Sequence, residues 1–184
     1  MPIAQLISPQ ALDLKKDQPG LVILDCRFAL EDPDYGQRSY AQGHIGGSAF
    51  ADLERDLSGK VVKDVTGRHP LPEPADLIER LQAWGINADS EVVLYDDGPG
   101  AFAARAWWLL AWLGKRDGVF ILDGGLKAWH AAGLPLSLDP PAIGRGTFTG
   151  TPDVSLLLSA EQLQKRLGQP SLTLLDARAL ARFK

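Results

Sequence analysis

Apolar residues along this chain fall into two alternating patterns. Short unbroken runs at 21–24 (Leu-Val-Ile-Leu), 92–95 (Val-Val-Leu-Tyr) and 119–122 (Val-Phe-Ile-Leu) are what strands buried on both faces of a parallel sheet require. Between the runs the apolar spacing turns helical. Leu77, Ile78, Leu81 and Trp84 line one face of a helix expected over 75–84, with Gly85 as its stop. The almost uniformly apolar segment 101–113 predicts a buried helix closed by Gly114, and 127–132 a short helix ended by Gly133. Strands separated by helices predict an α/β protein with a parallel sheet between helical layers. Such sheets bind ligands beyond the C-terminal ends of their strands. Three stretches are thereby selected: Asp25-Cys26-Arg27, residues 96–100 (Asp-Asp-Gly-Pro-Gly) and Asp123-Gly124-Gly125.

The pattern also repeats. Residues 6–27 align without gaps on 157–178 at an offset of 151, with nine identities in 22 positions. Leu12, Gln18, Pro19, Leu24, Asp25 and Arg27 recur as Leu163, Gln169, Pro170, Leu175, Asp176 and Arg178. Each copy reads as a Ser N-cap, a short helix, a Gln-Pro break and a buried strand ending in Asp-x-Arg. In the second copy Ser159 and Gln162 fit a capping box. A complete first unit over 1–140, a Pro- and Gly-rich linker over 141–156, and the first helix and strand of a second unit over 157–184 are expected. About 120 residues would be needed to finish that second unit, by the size of the first. An apolar strand without its sheet has open edges, so 157–184 is expected to pair with the remainder of its unit, with another copy, or not at all.

Composition narrows the classes. With 45% hydrophobic and 23% charged residues, the 184-residue chain can bury a sizeable core. The net charge of −4 leaves no cationic excess to neutralise phosphates, so neither nucleic acid nor a membrane surface is an expected partner. The longest apolar stretch, 101–113, contains Arg105 and is shorter than the roughly 20 residues of a membrane span. One cysteine permits no internal disulfide and no zinc cluster. Together with a start lacking the marks of a secretory or transit signal, this makes the cytoplasm the expected compartment.

Candidate chemistry is sparse. The 96–100 loop joins the most buried strand to the most buried helix and would favour an anion. However, Asp96 and Asp97 repel phosphate, and no Walker lysine follows. Asp97 is expected to cap the helix starting near Ala101. Cys26 has a cationic neighbour, Arg27, but ends a buried strand instead of opening a helix, and its counterpart in the repeat is Ala177; a structural cysteine is expected. His44, His69 and His130 are too far apart in sequence for a short metal-ligand pair. Trp84, Trp107, Trp108, Trp112 and Trp129 are expected in the core.

Four stretches together resemble the rhodanese family of sulfurtransferases, in particular the N-terminal half of its tandem-domain members. They are 40–48 (Tyr-Ala-Gln-Gly-His-Ile-Gly-Gly-Ser), 67–72 (Gly-Arg-His-Pro-Leu-Pro), 123–129 (Asp-Gly-Gly-Leu-Lys-Ala-Trp) and 133–135 (Gly-Leu-Pro). Gly46 and Ser48 depart from the family's Pro and Ala. The resemblance implies a central, mostly parallel sheet flanked by helices on both faces. It also implies a cysteine thiolate opening the loop before the central helix, where this chain has Asp97. The first domain would then be inactive, with the nucleophilic cysteine beyond Lys184. Residues 176–183 resemble the family's Asp-x-Arg-x-x-Gly-Arg segment and place Arg182 on its substrate-contacting arginine, although Ala181 replaces the Gly. Implied partners are a small anionic sulfur donor, thiosulfate or 3-mercaptopyruvate, and a thiophilic acceptor such as cyanide or a thiol, with no metal or organic cofactor. The rival expectation is a binding or regulatory module whose second half also lacks a cysteine. A cysteine-dependent phosphatase of related fold is disfavoured, since 96–105 has Arg105 but no cysteine.

Overall fold

A computed structural model describes residues 4–177 and Leu180. In chain order the first unit comprises β1 (Gln5–Ile7), α1 (Pro9–Asp13), β2 (Leu21–Asp25), α2 (Tyr35–Gln42), β3 (Ser48–Phe50), α3 (Pro74–Ala83), β4 (Glu91–Tyr95), α4 (Ala101–Trp112), β5 (Val119–Leu122) and α5 (Gly125–Ala131). The strands form one five-stranded sheet in the order β1-β5-β4-β2-β3, and every pairing is parallel. The three apolar runs are the three central strands. Hydropathy alone did not single out β1, β3 or α2: the two edge strands have only three residues each, and α2 buries only Gly36.

Both faces of the sheet are covered. On β4, Val93 and Tyr95 join a core cluster with Leu12 of α1 and Leu126 and Trp129 of α5. Val92 and Leu94 point to the opposite face by the two-residue period and are equally inaccessible. That face is met by α4, which packs on β4 and β5 and buries Ala103, Ala106, Leu109 and Leu110. Burying both faces explains why the central strands are apolar without alternation.

The compact units divide between Asp153 and Val154. Residues read from composition as linker are partly fastened to the first unit: Phe148 is buried, and the Gly146, Phe148 and Asp153 amides donate to Gln82, Ile86 and Trp112 carbonyls. The second unit has a 3₁₀ turn (Val154–Leu156) and α6 (Ala160–Arg166), whose Ser159–Gln162 capping box forms as expected. The strand expected near 172–175 does not form; these residues are irregular, and Leu174 and Leu175 are exposed. A strand is stabilised by hydrogen-bonding to neighbours. Its counterpart β2 has β3 and β4 on either side.

Candidate functional site

The C-terminal ends of β2, β4 and β5 bring the three sequence-selected stretches together. Asp96 follows β4 directly and is 1% exposed. One of its carboxylate oxygens accepts the N–H groups of Gly98 (3.0 Å) and Gly100 (3.1 Å). The other accepts those of Phe102 (3.0 Å) and Ala103 (3.1 Å) at the start of α4. Four backbone donors and the positive end of a helix converge on one anion. The Asp96 carbonyl accepts the Leu126 N–H at 2.8 Å, so the residue is also held by α5. That approach needs Gly125: a Cβ there would sit 2.4 Å from the Asp96 carbonyl oxygen, and its φ is +59°. A cavity of about 230 Å³ beside Asp96 is lined by Leu6, Gly98, Pro99, Ala103, Leu122 and Gly125, among others.

Asp97 is therefore not the cap. Its carboxylate accepts the Tyr35 hydroxyl from α2. Strand alternation explains the exchange: Val92, Leu94 and Asp96 share the α4 face, while the next position turns away from it. The hydrogen bond to Asp97, with burial second, raises the Tyr35 phenol above its ordinary value.

The Asp-x-Arg sequence ending β2 builds a buried clamp. Asp25 is fully inaccessible and accepts Arg27 Nε (2.9 Å) and Nη2 (2.6 Å), together with the Tyr95 hydroxyl (2.8 Å). Arg27 Nη2 also donates to the Gly43 carbonyl at 2.7 Å. Every charged group in the clamp is paired, as low-dielectric burial demands. Cys26, between the two, is 1% exposed. Burial, then Asp25 and Asp96, push its thiol well above the usual range, which keeps it protonated and unreactive.

The histidines do not converge. His44 is buried, His69 lies 3.4 Å from Glu54, and His130 is exposed. Among the described residues no three His, Cys, Asp or Glu side chains form a metal-binding group, and no helix is long and apolar enough to cross a membrane. Trp84, Trp112 and Trp129 are buried, whereas Trp107 and Trp108 are half-buried. Arg182 and Arg178 lie outside the described residues. At the repeat offset, Arg182 corresponds to Glu31 (182 − 151 = 31), which is exposed. Extending the repeat alignment by four residues reveals this reversal of charge, and extending strand alternation by one residue would have selected Asp96.

Residues 8–132 match the family model for the rhodanese-like domain. The chain is 64% identical, over all of its 184 residues, to a "Probable 3-mercaptopyruvate sulfurtransferase" of Pseudomonas aeruginosa, and spans 65% of that protein's length. Over 167 residues, 90% of the chain, it is 31% identical to a thiosulfate sulfurtransferase of Bos taurus and spans 54% of it. Among solved structures it resembles the 3-mercaptopyruvate sulfurtransferase SseA of Escherichia coli, with TM-score 0.84, 30% identity, and coverage of 98% of this chain and 68% of that one. The chain belongs to the rhodanese-like domain family.

Proposed function

We propose that the chain supplies the non-catalytic first domain, and the opening of the catalytic second domain, of a sulfurtransferase using 3-mercaptopyruvate or thiosulfate. The nucleophile would be a cysteine beyond Lys184. Its thiolate attacks the outer sulfur of thiosulfate, the S–S bond breaks, sulfite leaves, and a cysteine persulfide remains. Cyanide or a thiolate acceptor then takes the outer sulfur and regenerates the cysteine thiolate. With 3-mercaptopyruvate the C–S bond breaks instead, and the carbon fragment leaves as pyruvate after taking a proton. No metal or organic cofactor enters these steps. Arg182 would offer its planar donors to the oxygens of the anionic donor.

The observation carrying this reading is the Asp96 carboxylate in the four-donor cradle. An oxygen acid occupies the anion site without being able to accept a sulfane sulfur. Glu31, at the position matching Arg182, would also repel an anionic donor. The sulfurtransferase names of the 64%- and 31%-identical relatives support the reaction class. The test is thiocyanate formation from either donor with cyanide. The purified chain is expected to give none above the uncatalysed rate, whereas the chain extended to the length of its relatives turns over. Activity of the 184-residue chain that disappears in Cys26→Ser would overturn the reading. If the extended sequence carries no cysteine in the second cradle, a binding module replaces the enzyme.

A further inference from the structure

Away from the cradle, the loop between β3 and α3 folds against α3 around a cavity of about 690 Å³. It shares no lining residue with the cavity beside Asp96. Its volume lies in the range of roughly 300–1,000 Å³ that small-molecule sites occupy. The loop wall is fixed from behind. Arg105 of α4 donates through Nη2 to the Leu57 (3.2 Å) and Pro70 (3.1 Å) carbonyls, and the Gly59 N–H donates to the same Pro70 carbonyl at 3.0 Å. A Cβ on Gly59 would lie 2.5 Å from the Leu71 carbonyl oxygen. Farther along, the Val62 N–H donates to Thr66 Oγ1 (3.0 Å) and the Thr66 N–H to the Val62 carbonyl (3.0 Å). The cavity is therefore shaped before anything enters it, which lowers the ordering cost of binding.

Most charges lining it are already matched. Arg55 meets Asp52 at 3.0 Å, Arg80 meets Asp56 at 3.3 Å, and Arg145 donates to Gln82 Oε1 at 3.0 Å with Glu79 at 3.9 Å. Three lining ions make no ion pair among the described residues: Lys60 on the loop, and Glu73 and Asp76 at the start of α3. All three are exposed and so within reach of a ligand. Glu73 is the N-cap residue of α3, yet its side chain makes no capping hydrogen bond. Between the two kinds of charge the lining includes apolar Val62, Leu71 and Leu77. A further unmet group stands in the loop wall: Ser58 keeps a buried Oγ without a hydrogen-bond partner among the described residues, a cost that a polar occupant would offset.

We propose that this cavity binds short peptides with both ends free, the terminal ammonium meeting Glu73 and Asp76 and the terminal carboxylate meeting Lys60. A ligand with one charge alone would leave the other wall unmatched, whereas a zwitterion with an apolar middle matches both walls and the side chains between them. An extended tripeptide spans about 10 Å and carries its charges at opposite ends, as the two walls require.

Amide NMR of the 184-residue chain, titrated with the tripeptide alanyl-leucyl-alanine, tests this. Saturable shifts should appear at the Gly59, Leu71 and Leu77 amides, with a Kd of about 1 mM or below. Acetylating the peptide's amine, or amidating its carboxylate, should each weaken binding by about threefold or more, the worth of an exposed ion pair. In Glu73→Gln/Asp76→Asn the free and acetylated peptides should bind alike, and in Lys60→Met the free and amidated ones should. Absence of saturable shifts, equal binding of all three peptides to the unaltered chain, or shifts confined to the Asp96 loop would each refute the proposal. So would a folded variant that discriminates as the parent does. If a variant does not fold, the three peptides on the unaltered chain decide.

Discussion

Asp96 concentrates the local energetics. Removing its carboxylate in Asp96→Ala strands four buried or half-buried N–H donors; the expected loss is about 2 kcal/mol or more, read by urea unfolding. Asp97→Ala removes one hydrogen bond, from Tyr35, and should cost about 1 kcal/mol or less. Equal costs would show that the two neighbours share the cap. Asp96→Cys puts sulfur in the cradle, and the helix end should favour its thiolate, with Asp97 opposing. Alkylation of residue 96 should therefore proceed at a pH where Cys26, burdened first by burial, stays unreactive until the chain is unfolded. Asp56 is a different case. Burial raises its carboxyl above 3.8, with Asp52 adding to the rise, against Arg80 and a backbone donor. A raised folded-state value means the native chain binds this proton more readily than the unfolded one. The ionised carboxylate is thus a cost that disappears as the pH falls through the shifted value. Asp56→Asn should match or exceed the parent in stability at about pH 7 and lose that advantage near about pH 4, as thermal unfolding at the two pH values would reveal.

At the scale of elements, composition and packing gave different accounts of two segments. Residues 141–156 have the Pro and Gly content of a linker, yet the segment hydrogen-bonds to the end of α3 and passes so close to the Ile86 carbonyl that a Cβ on Gly146 would lie 2.2 Å from its oxygen. Gly146→Ala should therefore displace this segment. The expected mark is faster exchange of the Phe148 amide, by about tenfold or more, with the β4 amides unchanged. Slowing, or an effect spread across the sheet, would contradict a local contact. Gly125→Ala should instead disturb α4 and α5 together, because Asp96 ties both helix starts to one residue. The repeat explains why identical signals diverge. The Asp25 copy of the strand lies between two neighbours, while the Asp176 copy has a well-capped helix and, among its described residues, no strand. Capping is local chemistry and forms wherever its few residues occur; a strand is completed by partners distant in sequence.

For the molecule as a whole, the sheet and both of its covered faces lie within residues 4–153. A chain cut after Asp153 should therefore keep one cooperative thermal transition, within about 4 °C of the full chain, the shift that roughly 1 kcal/mol produces at this size. A larger loss would mean that residues 154–184 stabilise the first unit. Those residues expose Leu157, Leu158, Leu167, Leu174 and Leu175. Apolar surface of that kind favours association, and sedimentation of the full and shortened chains would compare their tendencies.

The sequence alone determined whatever depends on neighbours along the chain: the apolar central strands, the helix periods, the capping box at Ser159, the repeat and the family motifs. Their causes are local, since hydropathy period and turn chemistry act over a few residues. The tertiary structure decided which of two adjacent aspartates fills the cradle, that the Pro-rich stretch is hydrogen-bonded to the end of α3, and that His44 meets the Tyr40 and Asp139 carbonyls, the second of them 95 residues away. Those outcomes depend on the direction of a side chain at the end of a strand and on backbone groups that only folding brings within about 3 Å.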